Sequence, residues 1–145
     1  MKVLVQRVSR ASVEIDKKQV ATIKKGVLVF VGFDPKDSFN EIKKLSKKIL
    51  NYKIFSDEEG RINLSVIETQ SEVLLVPQVT LSAGTQKGLK PSFSDAADHK
   101  AGLILFQEFT NHLLHEYSKV RVGVFGANMS IELVNEGPIT FLFNS

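Results

Sequence analysis

At 145 residues, with 43% apolar and 24% charged residues, the chain has the size and mix of one globular domain with a single core, which excludes a wholly disordered polypeptide. A net charge of +3 permits contact with a polyanion without announcing one, and the absence of cysteine excludes disulfides, thiolate metal sites and a cysteine nucleophile together. Gln6, Arg7 and Arg10 interrupt the apolar start that a signal peptide needs, and no run nears the roughly 20 apolar residues of a membrane span, so a soluble, cytoplasmic, single domain over residues 1–145 is expected.

Short apolar runs fill the first third, at residues 3–8, 12–15, 20–23 and 27–33, separated by Asp16-Lys17-Lys18 and Lys24-Lys25-Gly26. Their spacing predicts sequential antiparallel strands. The run GVLVFVGF is apolar at nearly every position, which predicts a central strand covered on both faces. The period then changes: from Ser38, SFNEIKKLSKKIL places Ile42, Leu45, Ile49 and Leu50 on one stripe and Lys43, Lys44, Lys47 and Lys48 on the other, while Ser38 and Glu41 have the spacing of a capping box. A helix follows, and its lysines read as a solvent face.

Beyond it, a strand is expected over residues 53–55, a turn at SDEEG, and a strand over residues 72–80 broken by Pro77. LSAGTQKGLKPSFSDAADHK has no period and reads as a loop of about twenty residues, a length that in a compact domain usually serves function. A second helix is predicted from about Asp98 to Tyr117, then three strands over residues 120–125, 129–134 and 139–144. Sequential strands with two main helices predict an α+β fold, a largely antiparallel, barrel-like sheet with the helices packed outside. A doubly wound fold is disfavoured, since strands and helices do not alternate and no G-x-G-x-x-G occurs.

The common catalytic signatures G-x-S-x-G, H-E-x-x-H and the P-loop are absent. His112 and His115 share a helical face near Glu108 and Glu116, an arrangement that suits a solvated face and, less often, a metal. In VPQVTLSAGT, Pro77 breaks a strand where the two-residue period would point Gln78 and Thr80 the same way, offering an amide and a hydroxyl to one side. In NEGPIT, Gly137 and Pro138 interrupt another strand; composition alone reads Pro77 as an edge strand or bulge and Gly137-Pro138 as a turn.

Taken together, QRVSRASV, KIFSDEEGRINLSV, PQVTL with KGLKPSFSDAA, VFGANM and LVNEGPITF resemble, in order and over essentially the whole chain, the D-aminoacyl-tRNA deacylases, also called D-tyrosyl-tRNA deacylases. The resemblance implies an enzyme that hydrolyses the ester between a D-amino acid and the terminal adenosine of tRNA, removes glycine misloaded on alanine tRNA, and spares L-aminoacyl-tRNA. It implies no cofactor and no metal, a partner in the 3′ acceptor end of aminoacyl-tRNA, and a homodimer. Two family motifs fall on Pro77 to Leu81 and on Gly137 to Thr140, although Pro77 stands where the family usually has serine. Gln78 and Thr80 carry over as catalytic candidates. Gly137 and Pro138 carry over as a pair joined by a cis peptide that reaches into the neighbouring subunit's site and excludes an L side chain. Phe125, Ala127 and Met129 match a stretch lining the adenosine pocket, where an aromatic ring and a thioether can pack on a base. Thr80 as nucleophile lacks an evident base in the sequence, which favours the family's other route, a water assisted by the 2′-hydroxyl of the terminal adenosine. Two further readings stay open on the residues: an RNA-binding module without catalysis, and a metal hydrolase around His112 and His115.

Overall fold

The fold was described from a computed structural model, which covers residues 1–86 and 88–145. Lys87, the first residue of KGLKPSFSDAA, lies outside the described residues. The chain order is β1 (Lys2–Ile15), β2 (Lys18–Ile23), β3 (Gly26–Gly32), α1 (Phe39–Asn51), β4 (Phe55–Ser56), β5 (Ile62–Leu64), α2 (Val66–Thr69), β6 (Glu72–Pro77), α3 (His99–Glu116), β7 (Val120–Val122) and β8 (Ser130–Asn144).

The predicted architecture holds, as a nearly closed, barrel-like sheet with α1 and α3 outside it. The main sheet runs β2-β1-β3-β6-β7, with β8 on the other edge of β1 and β2 brought against β6 and β7. It is more mixed than the spacing predicted. β1 pairs antiparallel with β2, β3 and β8, but β3, β6 and β7 run parallel to one another. Parallel neighbours need a crossover, and α1 with its following hairpin and then α3 supply the two.

The runs at 3–8 and 12–15 form one 14-residue strand instead of two. Its inward face changes midway: Val3 and Val5 join the core beneath the helices, whereas Val8, Ala11 and Val13 join a second core inside the curl of the sheet. Register shifts against β8 on either side of Val8 absorb that change, as bulges do. β3 is central and covered on both faces, as its composition predicted: Val27, Val29 and Val31 face the helices, and Leu28 and Phe30 face the second core.

Helix α1 begins at the predicted capping box, with Ser38 Oγ accepting from the first turn and Glu41 accepting from the Ser38 N–H at 2.8 Å. Ile42, Leu45, Ile49 and Leu50 are buried, and α3 lays Phe106, Phe109 and Leu113 against the same core. Asp98 caps α3, accepting from Ala101 N at 2.9 Å. None of the helices is long and apolar enough, among the described residues, to cross a membrane.

Three expectations need correction. The strand over residues 72–80 ends at Pro77, and a 3-10 turn over Val79–Ser82 follows, so strand alternation does not govern Gln78 and Thr80. β6 lies between β3 and β7, so Pro77 does not mark an edge strand; it sits at a carboxyl end, where a lost ladder donor is tolerated. The last two expected strands are one 15-residue strand, β8, and Gly137-Pro138 is not a turn between them. Gln6 pairs with Thr140 and Val8 with Asn135, so residues 136–139 bulge out opposite the single residue Arg7.

Candidate functional site

The parallel strands β3, β6 and β7 end on the same side of the sheet, and just beyond their carboxyl ends lies a cleft of about 670 Å³. Its walls come from five segments: the end of β3, the Pro77–Val79 turn, residues 93–97, the start of α3, and residues 125–131. Sheet geometry explains the convergence, because strands that run the same way release their following segments at one edge.

The long loop is tied down here. Gly84 and Ser92 exchange both backbone hydrogen bonds, at 2.7 and 2.9 Å, and Ala97 N–H donates to the Phe33 carbonyl at 2.8 Å. Phe93 is thereby held at the cleft, half exposed. On the opposite wall, the Gln78 N–H donates to the Val31 carbonyl at 2.7 Å, which anchors the start of the 3-10 turn to β3. The turn folds Thr80 back so that its hydroxyl accepts from the Gln78 side-chain amide. Gln78 lines the cleft; Thr80 is exposed beside it. Amide and hydroxyl are thus brought together, but by a turn and not by a strand.

The floor is apolar. After β7 the chain passes Gly126, whose φ of +75° is the left-handed conformation that favours glycine, and Ala127 N–H donates to the Val124 carbonyl at 3.3 Å. That turn presents Phe125, Ala127 and Met129 to the cleft. The Phe125 ring lies tilted on Phe106 at 5.7 Å and edge-on to His99 at 5.4 Å. The Met129 thioether accepts from Val124 N–H at 3.4 Å. Asp98 and His99, both exposed, are the titratable side chains among the described lining residues, and the Asp98 carboxylate is engaged as the cap of α3. The hydroxyl of Thr80 has an amide as its hydrogen-bond partner, and an amide N–H cannot accept its proton.

Gly137 and Pro138 lie elsewhere. They are exposed, joined by a cis peptide as the resemblance implied, and do not line the cleft of their own chain. Their position is set by Arg7, a buried side chain that donates from Nε to the Glu136 carbonyl and from Nη1 to the Ile54 carbonyl, both at 2.9 Å. The Asn135 side chain accepts from Ile139 N–H at 2.9 Å and so closes the bulge from the other side. Gly137 has a φ of +141°, and a Cβ there would meet Ile139 N at 2.8 Å.

Sequence reasoning missed Arg7 as a functional residue. The signal was available: by the two-residue period it shares the inward face of Val3 and Val5, and a charge placed inward must find acceptors. Phe93, His99 and Gly102 were also missed, since a loop and a helix start become cleft walls through tertiary contacts alone. His112 and His115 both line a shallow surface pocket with Glu108, His112 packing edge-on against Phe39 at 5.4 Å and His115 facing Glu116 at 3.3 Å. Among the described residues, no group of three or more His, Asp or Glu side chains is placed to hold a metal ion.

A model of the family described as D-Tyr-tRNA(Tyr) deacylase matches residues 4–144. The chain is 46% identical over 142 residues to a D-aminoacyl-tRNA deacylase of Legionella pneumophila (strain Corby), covering 98% of each, and 44% identical over 142 residues to that of Saccharophagus degradans, again covering 98% of each. Among solved structures it is similar to the c-Myc DNA Unwinding Element Binding Protein, with a TM-score of 0.96, 36% identity, and coverage of 100% of this chain and 99% of that one. A probable eukaryotic D-amino acid tRNA deacylase, at 22% identity and a TM-score of 0.84 over 98% of this chain and 97% of that one, shares the fold.

Proposed function

Because the chain belongs to the D-Tyr-tRNA(Tyr) deacylase family, it is an enzyme that hydrolyses the ester of D-aminoacyl-tRNA, and we propose that the cleft beside Gln78 is where that ester is bound and cut. The observation that carries this reading is the make-up of the cleft: an apolar floor of Phe125, Ala127 and Met129, a wall bearing the Gln78 amide joined to the Thr80 hydroxyl, and, among the described residues, no acid or base in hydrogen-bond contact with that hydroxyl.

The terminal adenine rests on Phe125 and Met129, with Ala127 leaving room for the base. The ester then lies toward Gln78. An aminoacyl ester is already activated, so holding it in place and donating hydrogen bonds to the developing oxyanion are enough to carry much of the rate. The Thr80 hydroxyl, occupied by an amide and without a base among the described residues, shapes the wall, while the 2′-hydroxyl of the adenosine assists the attacking water. On this route Pro77 in place of serine is tolerated, because nothing in the chemistry draws on a hydroxyl there.

The selecting element comes from a second protomer of a homodimer. Gly137 and Pro138 are exposed and are not among the residues lining their own chain's cleft, which is how a segment offered to a neighbour's cleft is expected to stand. Seated there, their main chain receives the α-ammonium group and leaves no space for an L side chain. Rejection by exclusion admits many D side chains, and glycine on alanine tRNA as well, since no pocket is fitted to any of them. The setting is the cytoplasm, where aminoacyl-tRNA is made and used.

The test is hydrolysis of D-tyrosyl-tRNA, L-tyrosyl-tRNA and glycyl-tRNA of the alanine type by the purified protein, with and without chelator. The D and glycyl esters are expected to be cut and the L ester spared, whether or not chelator is present. Equal hydrolysis of the D and L esters overturns the selecting role of Gly137-Pro138, and loss of activity with chelator returns attention to the histidines of α3.

A further inference from the structure

Gly102 occupies the first turn of α3, buried at the wall of the cleft. Glycine is the least favourable helical residue apart from proline, and the backbone at this position makes an ordinary helical bond, Gly102 N–H to the Asp98 carbonyl at 2.8 Å. The position therefore does not need glycine for its conformation. It needs it for space: a Cβ there would meet Cζ of Phe125 at 3.1 Å and Cε2 at 3.6 Å.

A methyl group at 3.1 Å from a ring carbon obliges the ring to give by a few tenths of an ångström. Phe125 cannot give sideways, because Phe106 lies tilted against it at 5.7 Å and His99 stands edge-on at 5.4 Å. The remaining direction is outward, into the cleft. The same arrangement recurs under the other half of the floor, where a Cβ on buried Gly123 would meet the Met129 sulfur at 3.0 Å.

We propose that Gly102 is a positioning residue for specificity: by carrying no side chain it lets the Phe125 ring lie back on α3, and so sets the depth of the floor on which the terminal base of the substrate rests. This rests on the reading that the cleft takes the adenosine end of aminoacyl-tRNA. A substitution at Gly102 then acts through Phe125, on binding of the base, and not on the bond that breaks.

The experiment is a double-mutant cycle of Gly102→Ala and Phe125→Leu, with KM and kcat for D-tyrosyl-tRNA, affinity for adenosine 5′-monophosphate, and a crystal structure of Gly102→Ala. Gly102→Ala is expected to raise KM by about tenfold, the low end of what one misplaced methylene costs in an apolar pocket, with kcat within about twofold, and to show the ring moved toward the cleft. In the Phe125→Leu background, where no ring stands over Gly102, the same change is expected to leave KM unaltered. Equal effects of Gly102→Ala with and without the ring, a fall in kcat at constant KM, or an unmoved ring overturn the proposal. If Gly102→Ala alone fails to fold, folding of the double variant supports the contact and failure of both overturns it. Should the nucleotide fail to bind the unaltered protein, the adenosine reading of the cleft falls, and displacement of the ring still decides what Gly102 does.

Discussion

The cleft is concave, lined by side chains from five segments at the carboxyl ends of parallel strands, whereas the bulge at residues 136–139 is convex, made of main chain, and anchored by a buried guanidinium in the antiparallel half of the sheet. One is a pocket with a floor and walls. The other is an exposed segment held from below by Arg7 and Asn135. In the proposed homodimer each is half of a site, and symmetry supplies the missing half to both at once, because a two-fold axis that brings a bulge to one cleft brings the second bulge to the second cleft.

The strongest way to break this complementarity is to damage the halves in different chains. Gly137→Val places a Cβ where φ is +141° and Ile139 already stands close, so the bulge is deformed, and deacylation of D-tyrosyl-tRNA is expected to fall about a hundredfold. Ala127→Phe fills the cleft and is expected to do the same. Mixing the two under subunit exchange is expected to restore about a quarter of the activity, since half the dimers then carry one intact cleft facing one intact bulge. If the mixture stays as inactive as its components, the two halves do not meet across an interface.

Arg7→Met, next in size, tests the anchor alone. It removes two charged hydrogen bonds and leaves the carbonyls of Ile54 and Glu136 without their donors, for an expected loss of about 2–4 kcal/mol in urea unfolding together with reduced chiral selection. Unchanged selection in a folded Arg7→Met protein separates the bulge from its anchor. Thr80→Ala sharpens the comparison on the cleft side: with the RNA assisting the water, activity is expected to fall less than about tenfold, and a loss of a thousandfold restores the threonine as nucleophile.

The smallest effect lies away from both halves and serves as their control. Hydrogen bonds from Lys53, and then from Ser65, hold the exposed Glu68 carboxyl at about 2, well below its ordinary 4.5. A carboxyl lowered on folding contributes stability above its unfolded value and loses it as pH falls through the folded one. The stability difference between the unaltered protein and Glu68→Gln is therefore expected to be full above pH 4.5 and to shrink from there toward pH 2, with deacylation at neutral pH unaffected. A constant difference across that range contradicts the pairing.

Much of the fold was legible because it is written in local patterns. The capping box at Ser38, the apolar stripe of α1 and the continuous burial of β3 all follow from neighbours within a turn or a strand, whereas the grouping of Phe125, Ala127 and Met129 came from the family resemblance. What was not legible depends on distant partners. Parallel pairing of β3, β6 and β7 leaves no sign in periodicity, and neither does the choice between two strands and one bulged strand, since a bulge changes the count of residues on one side only. Gln78 and Thr80 were rightly paired for the wrong geometric reason, as the break at Pro77 leads into a 3-10 turn and not into more strand. That Gly137-Pro138 would stand apart from its own chain's cleft came only from the family resemblance, since composition alone read the pair as a turn.

The guanidinium of Arg7 also bears on how the molecule assembles in time. It gathers carbonyls 47 and 129 positions away along the chain, so its two bonds close only after nearly the whole polypeptide has been brought into register. Contacts of such span are slow to form and are spared by fast local collapse. The bulge at residues 136–139 is therefore held from its anchored side only once the chain's two ends and the segment after α1 have met.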